Sequence, residues 1–168
     1  VVMRFMDMLM GSPSTLFAIC VVSALGTGVM NLLLAIMVSM IPQFAMIVRS
    51  SVLTIKGSEF IEAAQCGGTS TARIIMRHII PNAMGPIIVQ ATLALGGVIL
   101  TAASMSFIGL GVQPPEPEWG AILTEGQEFM RDYPYLVIFP GVTIMMAVLA
   151  CNFLGDGLRD ALDPKLKQ

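Results

Sequence analysis

Long stretches without a charged side chain are the feature that most constrains how this chain can fold. No Asp, Glu, Lys or Arg occurs in residues 8–48, 79–115 or 133–155, and the first of these runs is 41 residues long. As one helix, at about 1.5 Å per residue, that run would extend about 60 Å, twice the roughly 30 Å hydrocarbon core of a bilayer. We therefore expect the run to fold back once, at Gly26 and Gly28, where glycines weaken a helix.

The composition also favours a membrane protein over a soluble domain. Charged residues make up 12% of the chain and hydrophobic residues 55%, whereas about a quarter of the residues in an average soluble domain are charged. We predict an all-α fold, a polytopic transmembrane helical bundle that forms a single domain over residues 1–168. About four spans are expected, near residues 13–25, 29–48, 83–110 and 134–155. Because the chain starts with Val1 rather than Met, we also expect an N-terminal portion to be absent.

Lysine and arginine are distributed unevenly between the two sides that four spans would create. Eight of the nine fall on one side and Arg131 alone on the other. Such an excess marks the cytoplasmic segments of membrane proteins. We therefore expect the C-terminus and residues 56–82 to be cytoplasmic, and residues 111–133 to form an external loop. The eight cationic residues are Arg4, Arg49, Lys56, Arg73, Arg77, Arg159, Lys165 and Lys167.

Residues 56–82, called the hairpin below, are too short and too polar to cross the membrane, and we predict two helices in them. The first should start at Glu59, with Ser58 as its cap, and end at Gly67-Gly68, because glycine favours helix C-caps. The second should begin near Thr69 or Ser70 and stop at Pro81. The predicted apolar sides are Phe60, Ile61, Ala63 and Ala64 in the first helix and Ala72, Ile75, Met76, Ile79 and Ile80 in the second.

The pattern of the hairpin leaves two interpretations open. It is either an ordinary cytoplasmic loop with interfacial helices or a docking element for a partner protein. The second interpretation depends on two alanines and two glycines, which would leave a closely approachable surface edged by charge.

A resemblance to a known family favours the docking element. Residues Glu62-Ala63-Ala64, followed by Gly68 and by Pro81, resemble the EAA motif of ABC-importer permeases. His78 and Ile80 occupy positions where the general family pattern has Ile and Leu. The resulting sequence RHIIPN is itself similar to that of the dipeptide, oligopeptide and nickel branch of the family.

Two further segments are similar to the same branch. SFIGLGVQPP with EPEWG, in residues 106–120, resembles its SFLGLG stretch and the proline-rich segment that follows. NFLGDGLRDALDP, in residues 152–164, resembles its C-terminal ending. The resemblance covers essentially the whole chain and implies a C-terminal portion of a permease, without one or two N-terminal spans and the first external region.

The resemblance implies a type I ABC importer permease, the subunit that forms the translocation path for di- or oligopeptides in a prokaryotic plasma (inner) membrane. Expected partners are ABC ATPase subunits, a second homologous permease subunit and an extracytoplasmic substrate-binding protein. ATP hydrolysis is expected on the ATPase chains, because no GxxxxGK[ST] motif occurs here. The residues expected to couple to the ATPase are Glu59, Glu62, Ala63, Ala64, Gly68, Arg73, Arg77 and Pro81. For the two arginines, anionic lipid is an equally acceptable partner.

Other functions are less consistent with the residues. A nickel-chelate permease of the same family is the nearest alternative. A secondary carrier or channel would be expected to carry charges within its spans, and none of the four predicted spans has one in its middle. An enzyme or a zinc site is not expected with one His and no CxxC motif. No cofactor, metal or nucleic-acid partner is predicted.

The substrate path is only weakly marked. Gln90, Thr101 and Ser104 are the candidates to line it, although small and polar residues in spans more often serve helix packing. Gly96 and Gly97 are expected either to let two helices approach closely or to allow a bend. The acids of residues 111–133 either contact the binding protein or are simply solvated.

Overall fold

The structure, a computed structural model, describes residues 2–162, and within this range it contains helices and loops but no strand. The helices are α1 (Val2–Met10), α2 (Ser14–Leu25), α3 (Val29–Lys56), α4 (Glu59–Cys66), α5 (Thr71–Ile74), a π turn (Ile75–Ile79), α6 (Ile80–Phe107), α7 (Trp119–Gln127) and α8 (Tyr135–Leu162). The predicted all-α fold is confirmed. Asp163, Pro164, Lys165 and Lys167, which entered the predictions, lie outside the described residues.

Within residues 2–162, three helical segments are long and apolar enough to cross a membrane: α3, the continuous helix Thr71–Phe107 and α8. A fourth crossing is possible only if α1 and α2, which meet at 94°, count as one bent span. The expectation of about four spans is therefore met by three long helices and one broken pair. The helices α3 and α8 also extend beyond the predicted span limits, to Lys56 and Leu162.

The turn between α2 and α3 lies where the glycines predicted it. Gly26 and Gly28 have φ angles of 89° and 136°, which residues with a side chain rarely adopt. The side-chain amide of Asn31 closes the turn, because Nδ2 donates to the carbonyl oxygens of Leu25 at 3.0 Å and Gly26 at 3.1 Å. The long uncharged run consequently folds back on itself.

Helix α6 is the centre of the bundle and packs against α3, α7 and α8. It approaches α8 closely at Gly96, where an added Cβ would lie 3.1 Å from Asn152 Oδ1 and 3.3 Å from Val148 Cγ1. Small residues permit such an approach between membrane helices. The expectation of a close helix contact is confirmed for Gly96, whereas a Cβ on Gly97 would have no neighbour within 4 Å.

Residues 111–133 are not a bare loop, because α7 packs back on α6 and α8. Glu118 caps α7, its Oε2 accepting from the backbone N–H of Ala121 at 2.9 Å. Thr124 Oγ1 donates to the carbonyl oxygen of Phe107 at 2.8 Å and ties α7 to the end of α6. This segment is thus a fixed part of the bundle.

Candidate functional site

The first helix of the hairpin starts where predicted but without the predicted side-chain cap. Helix α4 begins at Glu59, after Ser58, whose backbone is extended. Ser58 Oγ donates to the carbonyl oxygen of Ile55 in α3 and accepts no bond from an N–H of α4. The position of the cap was therefore predicted correctly, but the Ser58 side chain holds the end of α3 instead. Glu59 and Glu62 both lie in the first turn of α4, where the helix dipole favours carboxylates.

The turn between the two helices of the hairpin is a Schellman motif centred on Gly68. The N–H of Gly68 donates to Gln65 O at 3.0 Å and the N–H of Thr69 to Ala64 O at 3.1 Å, the pair of bonds that defines this motif. Gly68 has a φ angle of 74°. A Cβ on Gly68 would meet no atom within 4 Å, so the backbone conformation, and not crowding within this chain, requires glycine here.

The prediction that Pro81 ends the second helix is wrong. The helix continues without a break from Thr71 to Phe107, through a π turn in which the N–H of Ile80 donates to Ile75 O. Pro81 follows that turn at the start of α6, a position where a missing N–H is tolerated. Asn82 Nδ2 also donates to His78 O at 2.6 Å and thereby satisfies a carbonyl group beside the proline.

A small apolar core fastens the hairpin to the end of α3. Ile61 is 0% exposed, Ile74 5% and Ile79 9%, and Val52 and Ile55 of α3 pack against them. We call this set the isoleucine cluster. A π turn closes its hydrogen bonds on residue i+5, so Ile74 and Ile79, five apart, lie on the same side of the helix. Of the predicted apolar residues, Phe60, Ala63, Ala72, Ile75, Met76 and Ile80 are exposed instead.

The predicted coupling residues lie on the outer surface of the hairpin, with one exception. Ala64 is half-buried against the isoleucine cluster. The other seven are exposed: Glu59, Glu62, Ala63, Gly68, Arg73, Arg77 and Pro81. The exposed residues of the hairpin therefore include carboxylates on α4, guanidinium groups on the second helix, and the small residues Ala63 and Gly68. The sequence analysis did not predict the contact between Phe60 of α4 and His78 of the π turn, whose ring centroids are 6.5 Å apart.

A second candidate site is a cavity of about 280 Å³ between α2, α3 and α6, called the cavity below. Two of the three predicted path residues, Gln90 and Thr101, line it. Ser104 is not among its lining residues, and its Oγ donates to Leu100 O at 2.7 Å. The sequence analysis missed four other polar residues of the lining, Ser14, Thr15, Ser39 and Gln43. The four-residue spacing of Ser39 and Gln43, which places both on one face of α3, was the available signal.

The chain matches along its whole length, residues 1–168, a family described as "Binding-protein-dependent transport system inner membrane component". It is 49% identical to a "Dipeptide transport system permease protein DppC" of Alkalihalophilus pseudofirmus, over 98% of this chain and 54% of that protein. It is 48% identical to a "Glutathione transport system permease protein GsiD" of Shigella flexneri, over 99% of this chain and 55% of that protein. A GsiD protein of Escherichia coli is equally similar. The chain spans about half the length of these curated relatives.

Proposed function

Because this chain belongs to the family of binding-protein-dependent transport system inner membrane components, we propose that it is part of the permease subunit of an ATP-driven peptide importer. In this role its spans contribute to the translocation path. Its hairpin receives the motion of separate ATPase subunits, which hydrolyse the ATP.

The observation that carries the proposal is the construction of the hairpin. The isoleucine cluster attaches it to α3, and the continuous helix Thr71–Phe107 attaches it to the centre of the bundle. Force applied to the exposed surface of α4 would therefore move α3 and α6 together, since buried, close-packed contacts transmit displacement instead of absorbing it. Such rigid-body rotation is a common route between two global states of a protein.

The proposed contact with the ATPase uses both charge and shape. Ala63 and Gly68 are exposed and small enough to let a partner groove approach the backbone. Glu59 and Glu62 would pair with cationic groups of the ATPase, and Arg73 and Arg77 with its acids. For Arg73 and Arg77, anionic lipid at the cytoplasmic surface is the competing partner.

The orientation follows from the charges. With the hairpin in the cytoplasm, six of the seven Lys and Arg residues of the described range lie on the cytoplasmic side, namely Arg4, Arg49, Lys56, Arg73, Arg77 and Arg159. Arg131 alone lies outside, as the positive-inside rule favours. A second permease subunit and an extracytoplasmic binding protein complete the proposed complex, and α7 with its acidic neighbours would face the binding protein.

The substrate class comes from the names of the relatives. One is named for a dipeptide and the others for glutathione, which is itself a tripeptide. The proposed substrates are therefore peptides and not nickel chelates. Membership of a binding-protein-dependent family likewise favours an importer over a secondary carrier.

Cysteine crosslinking in the full-length transporter tests the proposal. Ala63→Cys and Gln65→Cys, introduced singly after replacement of the native cysteines, should crosslink to an ATPase subunit in membranes, and ATP should change the yield. Asp160→Cys, on the same proposed side but at the end of α8, is the control and should crosslink little. If neither hairpin position crosslinks in a complex that still transports peptide, the docking role is refuted.

A further inference from the structure

The polar groups that line the cavity are all uncharged. They are contributed by three helices, Ser14 and Thr15 by α2, Ser39 and Gln43 by α3, and Gln90 and Thr101 by α6, and the remaining lining residues are apolar or glycine. A cavity with this lining can form hydrogen bonds but has no charged side chain with which to hold an ammonium or carboxylate group.

Four of these side chains differ in whether their hydrogen-bond donors are already used within the protein. Ser39 Oγ donates to Ile36 O at 2.7 Å and Thr101 Oγ1 to Gly97 O at 2.8 Å, so their only donors are used by their own helices. No hydrogen bond joins the amide of Gln43 or Gln90 to another residue of the range 2–162. Each glutamine amide therefore retains two donors and one acceptor oxygen for a molecule in the cavity.

The cavity is long enough for a short peptide. Gln90 and Thr101 lie eleven positions apart on α6, about 16 Å at about 1.5 Å per helical residue. An extended tripeptide spans at most about 11 Å. The lining thus follows the axis of α6 over a distance that a di- or tripeptide can occupy.

We propose that Gln43 and Gln90 bind the backbone amide of the peptide as it passes through the cavity. This inference rests on the proposed function and identifies the part of the substrate that the path recognises. A peptide bond offers one N–H and one C=O, which a primary amide can meet with its own acceptor and donor. Contacts to the backbone are shared by all peptides, so the cavity would accept different side chains and bind each peptide briefly.

The test uses the full-length transporter in proteoliposomes with its ATPase subunits and binding protein. Gln43→Met and Gln90→Met keep the length of the side chain and remove its hydrogen bonds. Thr143→Val, in α8 and outside the cavity lining, is the control, because it removes a polar group from a span while keeping the size of the side chain. Each variant is assayed with a labelled dipeptide and with the same dipeptide N-methylated at its peptide bond, after the affinity of the binding protein for each peptide has been measured.

Each cavity variant should lower transport of the ordinary dipeptide roughly three- to tenfold, the effect of one neutral hydrogen bond. Binding-protein-stimulated ATP hydrolysis should stay within about twofold of wild type, because the hairpin is untouched. The ordinary dipeptide should be transported faster than the N-methylated one by wild type, after correction for the affinity of the binding protein for each. This difference in rate should shrink in Gln43→Met and Gln90→Met and persist in Thr143→Val.

Two results would overturn the inference. One is unchanged dipeptide transport in both cavity variants. The other is an equal loss with both peptides together with a parallel loss of ATP hydrolysis, which would mean that the glutamines support only the structure. Neither result affects the proposed function, which fails separately if the hairpin cysteines do not crosslink to an ATPase.

Discussion

Gly120 of α7 lies directly against the backbone of Ala103 in α6, so closely that a Cβ added to Gly120 would overlap the carbonyl oxygen of Ala103. Both residues are buried, and the hydrogen bond from Thr124 to Phe107 lies one turn further along α7. The position of α7 on the bundle therefore depends on the absence of a side chain at residue 120.

Gly120→Ala should destabilise the protein, because backbone on both sides of the contact leaves no flexible side chain to move aside. Overpacking of this kind costs about 1–3 kcal/mol, which should appear as a lower Tm of the full-length transporter in detergent. Gly85→Ala is the matched control in α6, since an added Cβ there meets nothing within 4 Å. Equal Tm values for the two variants would contradict the packing of α7 described above.

Residue 68 can be required to be glycine for two reasons, its backbone conformation and the absence of a side chain on the docking surface, and substitutions can separate them. Gly68→Ala should disturb the turn by about 1 kcal/mol, because an alanine at φ 74° is strained, whereas Gly67→Ala should be neutral. Asparagine tolerates this backbone conformation, so Gly68→Asn should keep the turn while adding a side chain to the surface. If the ATPase approaches the backbone closely, Gly68→Asn should retain the fold and lose peptide transport in proteoliposomes, while ATP hydrolysis becomes uncoupled from it.

The isoleucine cluster can be tested at Ile61, its most buried member. Ile61→Ala should destabilise the attachment of the hairpin by about 2–5 kcal/mol, the usual cost of a cavity at such a site. Amide hydrogen exchange in α4 should rise, and the number of ATP molecules hydrolysed per peptide transported should increase. Met76→Ala, at an exposed position of the π turn, should change neither quantity. Protection of α4 equal to wild type in Ile61→Ala would show that the cluster does not hold the hairpin.

The sequence predicted those features of the hairpin that depend on local chemistry. The end of α4 at Gly67-Gly68 follows from the preference of glycine for helix C-caps, which acts over a few residues. The start of α4 after Ser58 was also predicted at the right residue, although the Ser58 side chain bonds to α3 and does not cap α4. The passage of the helix through Pro81 could not be predicted in this way. It depends on the burial of Ile74 and Ile79 against α3 and on the amide of Asn82, and tertiary contacts of this kind override the local preference of proline.

The cavity was harder to predict than the hairpin. In an apolar helix that contacts both lipid and protein, hydrophobic periodicity does not indicate which polar residues point inward. Gln43 is exposed, and it contributes to the cavity lining only because α2 and α6 lie beside α3 at this level. Ser104, chosen on the same chemistry as Gln90, satisfies its hydroxyl within its own helix.

The proposed orientation can be tested with a cysteine that the chain already has. Cys66 is exposed at the end of α4, next to the turn that should face the cytoplasm. In a variant with Cys20→Ser and Cys151→Ser, a membrane-impermeant maleimide should label Cys66 in inverted vesicles and not in right-side-out vesicles. Glu128→Cys, in a background that also lacks Cys66, should show the opposite pattern, because residues 111–133 are assigned to the outside.

The same labelling reports on the ATPase. If an ATPase groove covers the end of α4, labelling of Cys66 in inverted vesicles should be slow in the intact complex and faster once the ATPase subunits have been stripped off. Labelling of Cys66 from the outer side would reverse the assignment of sides and exclude contact with a cytoplasmic motor. If Cys66 is labelled only from the cytoplasmic side but equally fast with and without the ATPase, the proposed orientation stands and the contact with the ATPase lies away from the turn. The contact would then lie towards Glu59 and Glu62 at the other end of α4. There the helix dipole and two exposed carboxylates meet.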